Sequence, residues 1–162
     1  RVGSTVGTRL SPEEILEADR ADPDRWEALR REFTRPRATL SRKNGALFSC
    51  QAGLSGFHVT PYGQLLFCHS IDTLAFDLRQ GPFREGWRRF GEIRRMQAAP
   101  ERACNDCDLN QVCRSCAGYA YLEGAGLMGR VDYLHRLTQL RAEAFGLKVR
   151  EDERGALVWA DA

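Results

Sequence analysis

The feature that most constrains this chain is a run of thirteen residues, CNDCDLNQVCRSC, in which four residues are cysteine. Most of the side chains between these cysteines are polar, so the run does not have the composition of a packed core. Thiols at this density form disulfides, bind zinc or hold an iron–sulfur cluster. The rest of the sequence must decide which of these uses applies to Cys104, Cys107, Cys113 and Cys116.

The length of the chain, its net charge and its apolar runs narrow the class of protein. A chain of 162 residues is long enough for one domain with its own core, or for one domain and part of a neighbour. The net charge of +2 is too small to indicate nucleic acid or an anionic membrane as the main partner. The sequence contains neither an apolar run long enough to span a bilayer nor a secretory leader. Because the first residue is Arg1 rather than Met, we expect a processed or excised piece of a longer protein.

The absence of a secretory signal predicts a cytoplasmic protein, where thiols stay reduced. In a reducing compartment, clustered cysteines indicate metal or redox chemistry more than disulfides. Disulfides stay open as an alternative, because a signal can be removed together with an N-terminal segment.

The hydrophobic pattern predicts an α+β protein. The sequence SPEE at residues 11–14 has the form of a capping box, and residues 12–34 are predicted to form two short helices or one helix broken at Pro23. Residues 34–46 are basic, lack periodicity and are interpreted as a linker. Residues 57–69 contain two short apolar runs around Pro61-Tyr62-Gly63, which predicts a β-hairpin.

Helices dominate the predictions for the second half. Residues 83–97 are amphipathic and are predicted to form a helix that Pro100 ends. A short helix is expected in AGYAYLEGAG, and a longer one over 131–146. The segments LKVR and ALVW, on either side of EDERG, predict a terminal hairpin. The exposed arginines of the 83–97 segment are interpreted as a solvated face, with an acidic peptide partner as the alternative.

The spacing of the thiols favours an iron–sulfur cluster over zinc. Two C-x-x-C pairs suit a tetrahedral zinc site, but zinc folds usually separate the two pairs by a dozen or more residues, whereas five intervene here. Zinc also leaves Cys50 and Cys68 without a role. A cubane is wider than a single ion, so it can take thiolates from serial positions in one loop and from distant parts of the chain.

The whole series of cysteines resembles the SPASM domain, the auxiliary-cluster domain at the C-terminal end of many radical S-adenosylmethionine enzymes. The matching pattern is Cys50, twelve residues, Gly63, four residues, Cys68, a gap, and then C-x2-C-x5-C-x2-C. The resemblance covers residues 46–146. By the same resemblance, residues 1–45 are the end of a radical-enzyme barrel of partial TIM type with its linker, and 147–162 form a C-terminal hairpin or tail.

The resemblance implies two 4Fe-4S clusters and assigns ligands to each. Cys50, Cys68 and Cys116 hold the first cluster, and Cys104, Cys107 and Cys113 hold three corners of the second. The small hairpin, the cysteine-rich loops and the helices are expected to surround the two clusters. Tyr119 and Tyr121 are expected to cover them against water.

Two features depart from the family pattern. The last pair of cysteines is separated by the two residues Arg114 and Ser115, where the family usually has three. The family's final cysteine is absent, and His135 stands at the position that aligns with it. Histidine is a competent iron ligand, so His135 is either the fourth ligand of the second cluster or an ordinary helix residue.

The first cluster has three cysteine ligands under this assignment. Its fourth corner is then open to substrate or filled by a histidine, for which His58 and His69 are the candidates. His69 is the weaker of the two, because neighbours in a strand point to opposite faces and Cys68 precedes it.

The function that the resemblance implies is that of an auxiliary-cluster domain in a peptide- or protein-modifying radical enzyme. Its clusters relay electrons or bind substrate, and its partners are a peptide or protein substrate and an electron donor such as flavodoxin or ferredoxin. The chain lacks the C-x3-C-x2-C triplet that holds the S-adenosylmethionine cluster, so we expect that cofactor and that third cluster in the absent barrel, and no catalysis by this chain alone. No side chain is assigned a catalytic role. The alternatives are a zinc-stabilised, non-catalytic peptide-binding module and a stand-alone electron-transfer accessory domain.

Overall fold

A computed structural model describes residues 8–35 and 45–160. Helices and small antiparallel sheets are combined in it, which confirms the α+β prediction. The chain divides into two compact units. Within the described residues, the first unit contains 8–35, 106–114 and 132–160, and the second contains 45–105 and 115–131. The division at residues 45 and 146 inferred from the sequence stays a prediction.

Two consecutive helices, α1 (Pro12–Ala21) and α2 (Pro23–Phe33), open the first unit. The predicted capping box precedes α1: the Glu14 backbone N–H donates to Ser11 Oγ at 3.2 Å, and the Ser11 N–H donates to Glu14 Oε2 at 2.7 Å. Asp22 caps α2 by accepting from the Arg25 N–H at 3.0 Å. Because Asp22 is extended and Pro23 follows it, the helix breaks where the sequence predicts.

A buried carboxylate joins the helices of the first unit. The longest helix of that unit, α6 (Asp132–Ala144), carries Arg141, whose Nη2 lies 2.6 Å from Asp19 Oδ2 on α1. Arg25 on α2 pairs with the other oxygen of Asp19. Asp19 is 1% exposed, so its charge depends on these two guanidinium groups for compensation.

The rest of the first unit is a short helix and a hairpin. Helix α4 (Asn110–Cys113) lies in the cysteine-rich run, and strands β4 (Val149–Glu151) and β5 (Leu157–Trp159) form the predicted antiparallel hairpin. The run is attached to this hairpin because the Asp108 N–H donates to Leu157 O at 2.8 Å and the Trp159 N–H donates to Asp108 Oδ2 at 2.9 Å. Leu109 and Leu157 are fully buried beside these hydrogen bonds.

The second unit is built on a three-stranded antiparallel sheet in the order β1-β2-β3. Its strands are β1 (His58–Val59), β2 (Gln64–Cys68) and β3 (Ile71–Asp77). The predicted hairpin is confirmed, with His58 opposite Leu66 and a turn in which the Gly63 N–H donates to Thr60 O at 3.0 Å. The sheet register shifts between Leu66 and Cys68, so the end of β2 departs from regular pairing.

Helix α3 (Phe83–Ile93) packs on this sheet over an aromatic core. Phe67 and Phe90 meet edge to face, with ring centroids 5.4 Å apart, and both are buried. The prediction of a helix over 83–97 ended by Pro100 is wrong in its extent. The chain leaves the helix after Ile93 because the Ala98 N–H donates to Gly45 O at 2.8 Å and the Leu47 N–H donates to Met96 O at 3.1 Å.

The second unit is completed by a 3-10 turn (Ala103–Asn105) and by helix α5 (Ala117–Leu122). This helix confirms the short one expected in AGYAYLEGAG, and Gly124, at φ +78°, follows its end. Most of the predicted linker at 34–46 lies outside the described residues. None of the helices in the described ranges is both long and apolar enough to cross a lipid bilayer.

Candidate cysteine sites

Cys68 and Cys116 are brought together around Gly118. A Cβ atom at position 118 would lie 3.3 Å from Cys68 Sγ, 3.6 Å from Cys116 Sγ and 3.2 Å from Ser70 Cβ. Both sulfurs therefore border the space that the missing side chain leaves open. Glycine inside a helix costs stability relative to alanine, and here it leaves that space to two thiols.

The secondary structure around each of these two thiols determines its orientation. Cys68 is the last residue of β2, beyond the register shift, and it packs partly buried against the core of the second unit. Cys116 is the N-cap of α5, and its sulfur accepts from the Tyr119 backbone N–H at 3.5 Å. The first thiol therefore comes from a strand end and the second from a helix start.

Cys50, the third predicted ligand of the first cluster, belongs to the same unit. Its side chain is exposed, and its backbone carbonyl accepts from Arg94 Nη1 at 2.8 Å. The same nitrogen donates to Ala52 O at 2.8 Å, so one guanidinium fixes both ends of this short segment. The turn that follows needs glycine at 53, where φ is +64° and a Cβ would lie 2.4 Å from the Phe67 ring.

The turn between Cys113 and Cys116 interrupts the helix that would otherwise continue from one cysteine to the other. Residues three apart in a helix share a face. Helix α4 ends at Cys113, however, and Arg114 adopts a left-handed conformation with φ 56°. Glu32 holds the Arg114 side chain through contacts of 2.9 and 3.0 Å. Cys116 then belongs to the second unit, whereas Cys113 belongs to the first.

Two predicted ligands of the second cluster, Cys107 and Cys113, lie in the first unit with His135. Cys107 is buried, and Cys113 Sγ lies 4.0 Å from the carbonyl oxygen of Leu134, the residue before His135 in α6. The His135 side chain is 13% exposed, with Nε2 3.6 Å from Glu151 Oε1 on β4. Cys113 therefore reaches the turn of α6 that carries His135.

Cys104 lies in the 3-10 turn of the second unit and is partly buried. The next side chain holds this turn in place, because Asn105 Nδ2 donates to Ala99 O at 2.8 Å. The assignment of Cys104 to the second cluster, with Cys107 and Cys113, stays a prediction.

The predicted ligands do not close around a single ion. In the described ranges, which include all six cysteines and all three histidines, no group of three or more Cys, His, Asp or Glu side chains has a metal-ion arrangement. No disulfide joins any of the six cysteines within those ranges. Two of the predicted groupings do lie close together in the structure. Cys68 lies near Cys116, and Cys113 lies near the turn of α6 that precedes His135.

The two tyrosines expected to cover the clusters differ in their surroundings. Tyr119 is 51% exposed. The Tyr121 hydroxyl donates to Asp72 Oδ1 at 2.5 Å, and this hydrogen bond raises the pKa of Tyr121 above its usual value. Tyr121 and Asp72 line an open groove of about 430 Å³ on the sheet, together with Gln64, Leu66 and Thr73.

Sequence reasoning did not single out Gly118, Arg94 or Asp108, which position the cysteines. Gly118 carried one signal, since a glycine two residues after a C-x-x-C pair inside a helical pattern indicates a close approach. The hydrogen bonds of Arg94 and Asp108 join residues more than forty positions apart, which no local pattern indicates.

No family model, no curated protein and no solved structure matches this chain.

Proposed function

We propose that this chain is an auxiliary iron–sulfur domain of SPASM type from a radical S-adenosylmethionine enzyme that modifies peptides or proteins in the reducing cytoplasm. The observation that carries the proposal is the meeting of Cys68 and Cys116 at Gly118. These thiols are separated by forty-seven residues, and the resemblance to the SPASM domain assigns them to the same cluster. A single zinc site would instead take Cys116 together with the other three thiols of the 104–116 run.

The residues present suit a cluster at the first site. Thiolates are the usual ligands of iron–sulfur clusters, and the absence of a side chain at Gly118 lets both sulfurs lie close to the backbone of α5. Cys50 is exposed in the same unit and its backbone is fixed by Arg94. When bound, such clusters accept and relay single electrons, and this is chemistry that the cofactor supplies.

The chain's own residues hold and surround the thiols. The Tyr119 N–H donates to Cys116 Sγ, and hydrogen bonds of this kind to ligand sulfurs influence a cluster's reduction potential. Helix α4 ends at Cys113 and Arg114 adopts a left-handed conformation before Cys116, which supports the assignment of these two thiols to different clusters. Glu151 lies near the His135 ring, as a carboxylate does beside many metal-binding histidines.

The experiment that tests the proposal is anaerobic production of the chain, followed by iron, sulfide and zinc analysis and Mössbauer spectroscopy. Two cubanes correspond to about eight irons per chain. Cys116→Ala and Cys113→Ala form a matched pair, because each removes one thiol of the same C-x-x-C turn. We expect each variant to lose one cluster and to retain about four irons, with the remaining cluster different in the two cases.

Three results would contradict the proposal. One zinc and no iron in the unmodified chain would favour the zinc-stabilised module. Loss of all iron from both variants at once would indicate a single shared cluster. Full iron retention in Cys116→Ala would show that the Cys116 thiol, on which the proposal depends, is not a cluster ligand.

A further inference from the structure

The structure pairs two histidines on the surface of the second unit. His58 on β1 and His69, which follows β2, have ring centroids 5.1 Å apart and ring planes at 66°. Both side chains are exposed. The chain has three histidines in all, so the fold brings two of the three into contact.

The backbone fixes this arrangement from both sides. His58 on β1 is opposite Leu66 in the β1–β2 ladder, and that places it beside the strand that ends at Cys68. Cys68 is in turn opposite Ile71 on β3, so His69 and Ser70 form a two-residue turn between paired positions. Ladders on both sides of the pair therefore position the two rings.

The separation of the rings suits a shared metal ion. A zinc–nitrogen bond is about 2.0–2.1 Å, so two imidazoles on one tetrahedral ion have ring centroids roughly 5 Å apart. Imidazole is a good ligand for Zn²⁺, Cu²⁺, Ni²⁺ and Co²⁺. Among the described residues, none forms an ion pair or hydrogen bond with either ring, so the nitrogens are available to an added ion.

We propose that His58 and His69 form a surface site for a divalent transition-metal ion, separate from the cysteine sites. Two protein ligands leave the remaining coordination positions to water or to a donor atom from a bound partner. The site takes nitrogen ligands, whereas the thiol of Cys68 is directed towards Gly118 in α5. This proposal is independent of the iron–sulfur function and holds whether or not the thiols carry clusters.

The two rings also form an edge-to-face pair that is stable without a metal. His58→Phe separates these explanations, because phenylalanine keeps the ring contact and lacks a ligand nitrogen. His69→Asn removes the second imidazole while keeping a polar turn residue. Val59→Ala is the matched control, because it alters the adjacent β1 residue, whose side chain is exposed and points to the opposite face.

The test is anaerobic titration of Co²⁺ into the full chain as purified, followed by visible absorption, with iron measured on the same samples. We expect one Co²⁺ to bind through nitrogen and oxygen at this site, in addition to any Co²⁺ that cluster-free thiols bind with a sulfur-to-cobalt charge-transfer band. His58→Phe and His69→Asn should each weaken this binding by at least about tenfold, the smallest loss that even outer-shell changes produce at metal sites. Val59→Ala should bind as the unmodified chain does, and iron content should be equal in all four proteins.

Several outcomes overturn the proposal. Equal Co²⁺ affinity in the unmodified chain and His58→Phe would show that the rings are not ligands. A sulfur charge-transfer band from all of the bound Co²⁺, altered by neither histidine variant, would place the ion on the thiols. Iron loss in the histidine variants would make the rings part of a cluster instead. Absence of iron from all four proteins would contradict the proposed function and would not affect the proposal of a histidine site.

Discussion

The two units support their cysteines by different physical means. In the first unit, charged and polar contacts hold the residues around Cys107 and Cys113. Among them are the hydrogen bond from the Trp159 N–H of β5 to Asp108 and the ion pair between Arg154 and Asp106. In the second unit, Cys68 packs against an aromatic core that includes Phe67 and Phe90. The polar contacts of the first unit therefore act through ion pairs and hydrogen bonds, whereas Cys68 in the second unit depends on shape and packing.

This difference indicates which substitutions should disturb which site. A packed core is sensitive to a single added methyl group, because its side chains have little room to move. A network of buried charge is sensitive to the loss of one partner, because the other charge stays buried. The predictions that follow test the first unit by removing a charged or hydrogen-bonding partner, and the second unit by adding a methyl group.

The largest expected effect is that of Asp19→Ala in the first unit. The substitution leaves Arg141, 12% exposed, without its carboxylate partner, and breaking a buried pair in this way costs about 3–5 kcal/mol. Urea unfolding, with hydrogen exchange of the α6 amides to observe the first unit directly, measures the change. The control is Glu13→Ala, which removes an exposed ion pair with Arg136 and should cost no more than about 1 kcal/mol. Equal losses from the two variants would mean that burial of the charge is unimportant.

Gly118→Ala tests packing in the second unit. The added methyl group would meet Cys68 Sγ at 3.3 Å and Ser70 Cβ at 3.2 Å, so we expect a loss of about 1–3 kcal/mol and displacement of one thiol. Gly91→Ala is the matched control, because it lies in α3 with its nearest neighbour 4.0 Å away and should stabilise the helix by about 0.5–1 kcal/mol. Iron analysis of the pair shows whether the effect reaches the first cluster. Full iron content in Gly118→Ala would show that this glycine does not affect the first cluster.

Asp108→Ala tests the polar attachment of the cysteine-rich run. The substitution removes the acceptor of the Trp159 N–H, and a hydrogen bond to a charged group contributes about 1.5–3 kcal/mol where it is well buried. Because Asp108 is partly exposed, we expect a loss of about 1–2 kcal/mol. Asp108→Asn, which keeps an acceptor oxygen, should recover part of it. Faster hydrogen exchange at the Trp159 amide in the alanine variant is the direct measurement, and unchanged exchange would contradict the interpretation.

The smallest effect expected is on acid stability, and it should occur in both units. The hydrogen bonds from Arg30 and Arg31 lower the pKa of Glu27 to about 2, and those from Arg79 lower the pKa of Asp77 to about 2. Since both values lie below those of the unfolded chain, the contribution to stability is complete above about pH 4.5 and is lost as pH falls towards 2. Carboxyl carbon shifts followed by NMR should stay at their ionised values down to pH 4. A Glu27 midpoint near 4.5 would show that its arginine contacts do not persist in solution.

The elements that local chemistry determines could be predicted from the sequence. Ser11 and Glu14 form a capping box from positions three apart, and Pro23 breaks the helix by its own geometry. Gly63 marks the β1–β2 turn for the same reason, because a positive φ of 78° suits glycine. All of these signals act within four residues of their effect.

The features that could not be predicted depend on distant contacts. The end of α3 at Ile93 is set by hydrogen bonds from residues 96 and 98 to the segment at 45–47. The role of Gly118 depends on Cys68, fifty positions earlier in the chain. The resemblance to the SPASM domain implied one cluster for Cys68 and Cys116, but it carried no information on Gly118, which both sulfurs approach.

The left-handed turn at Arg114 has a consequence for how ligand motifs are compared. The left-handed conformation of Arg114 ends α4 inside the two-residue spacer, so the backbone between Cys113 and Cys116 is not that of a continuous helix. The orientation of two ligand groups depends on the conformation of the spacer as well as on its length. Counting residues between ligands underestimates the range of chains that can achieve the same orientation.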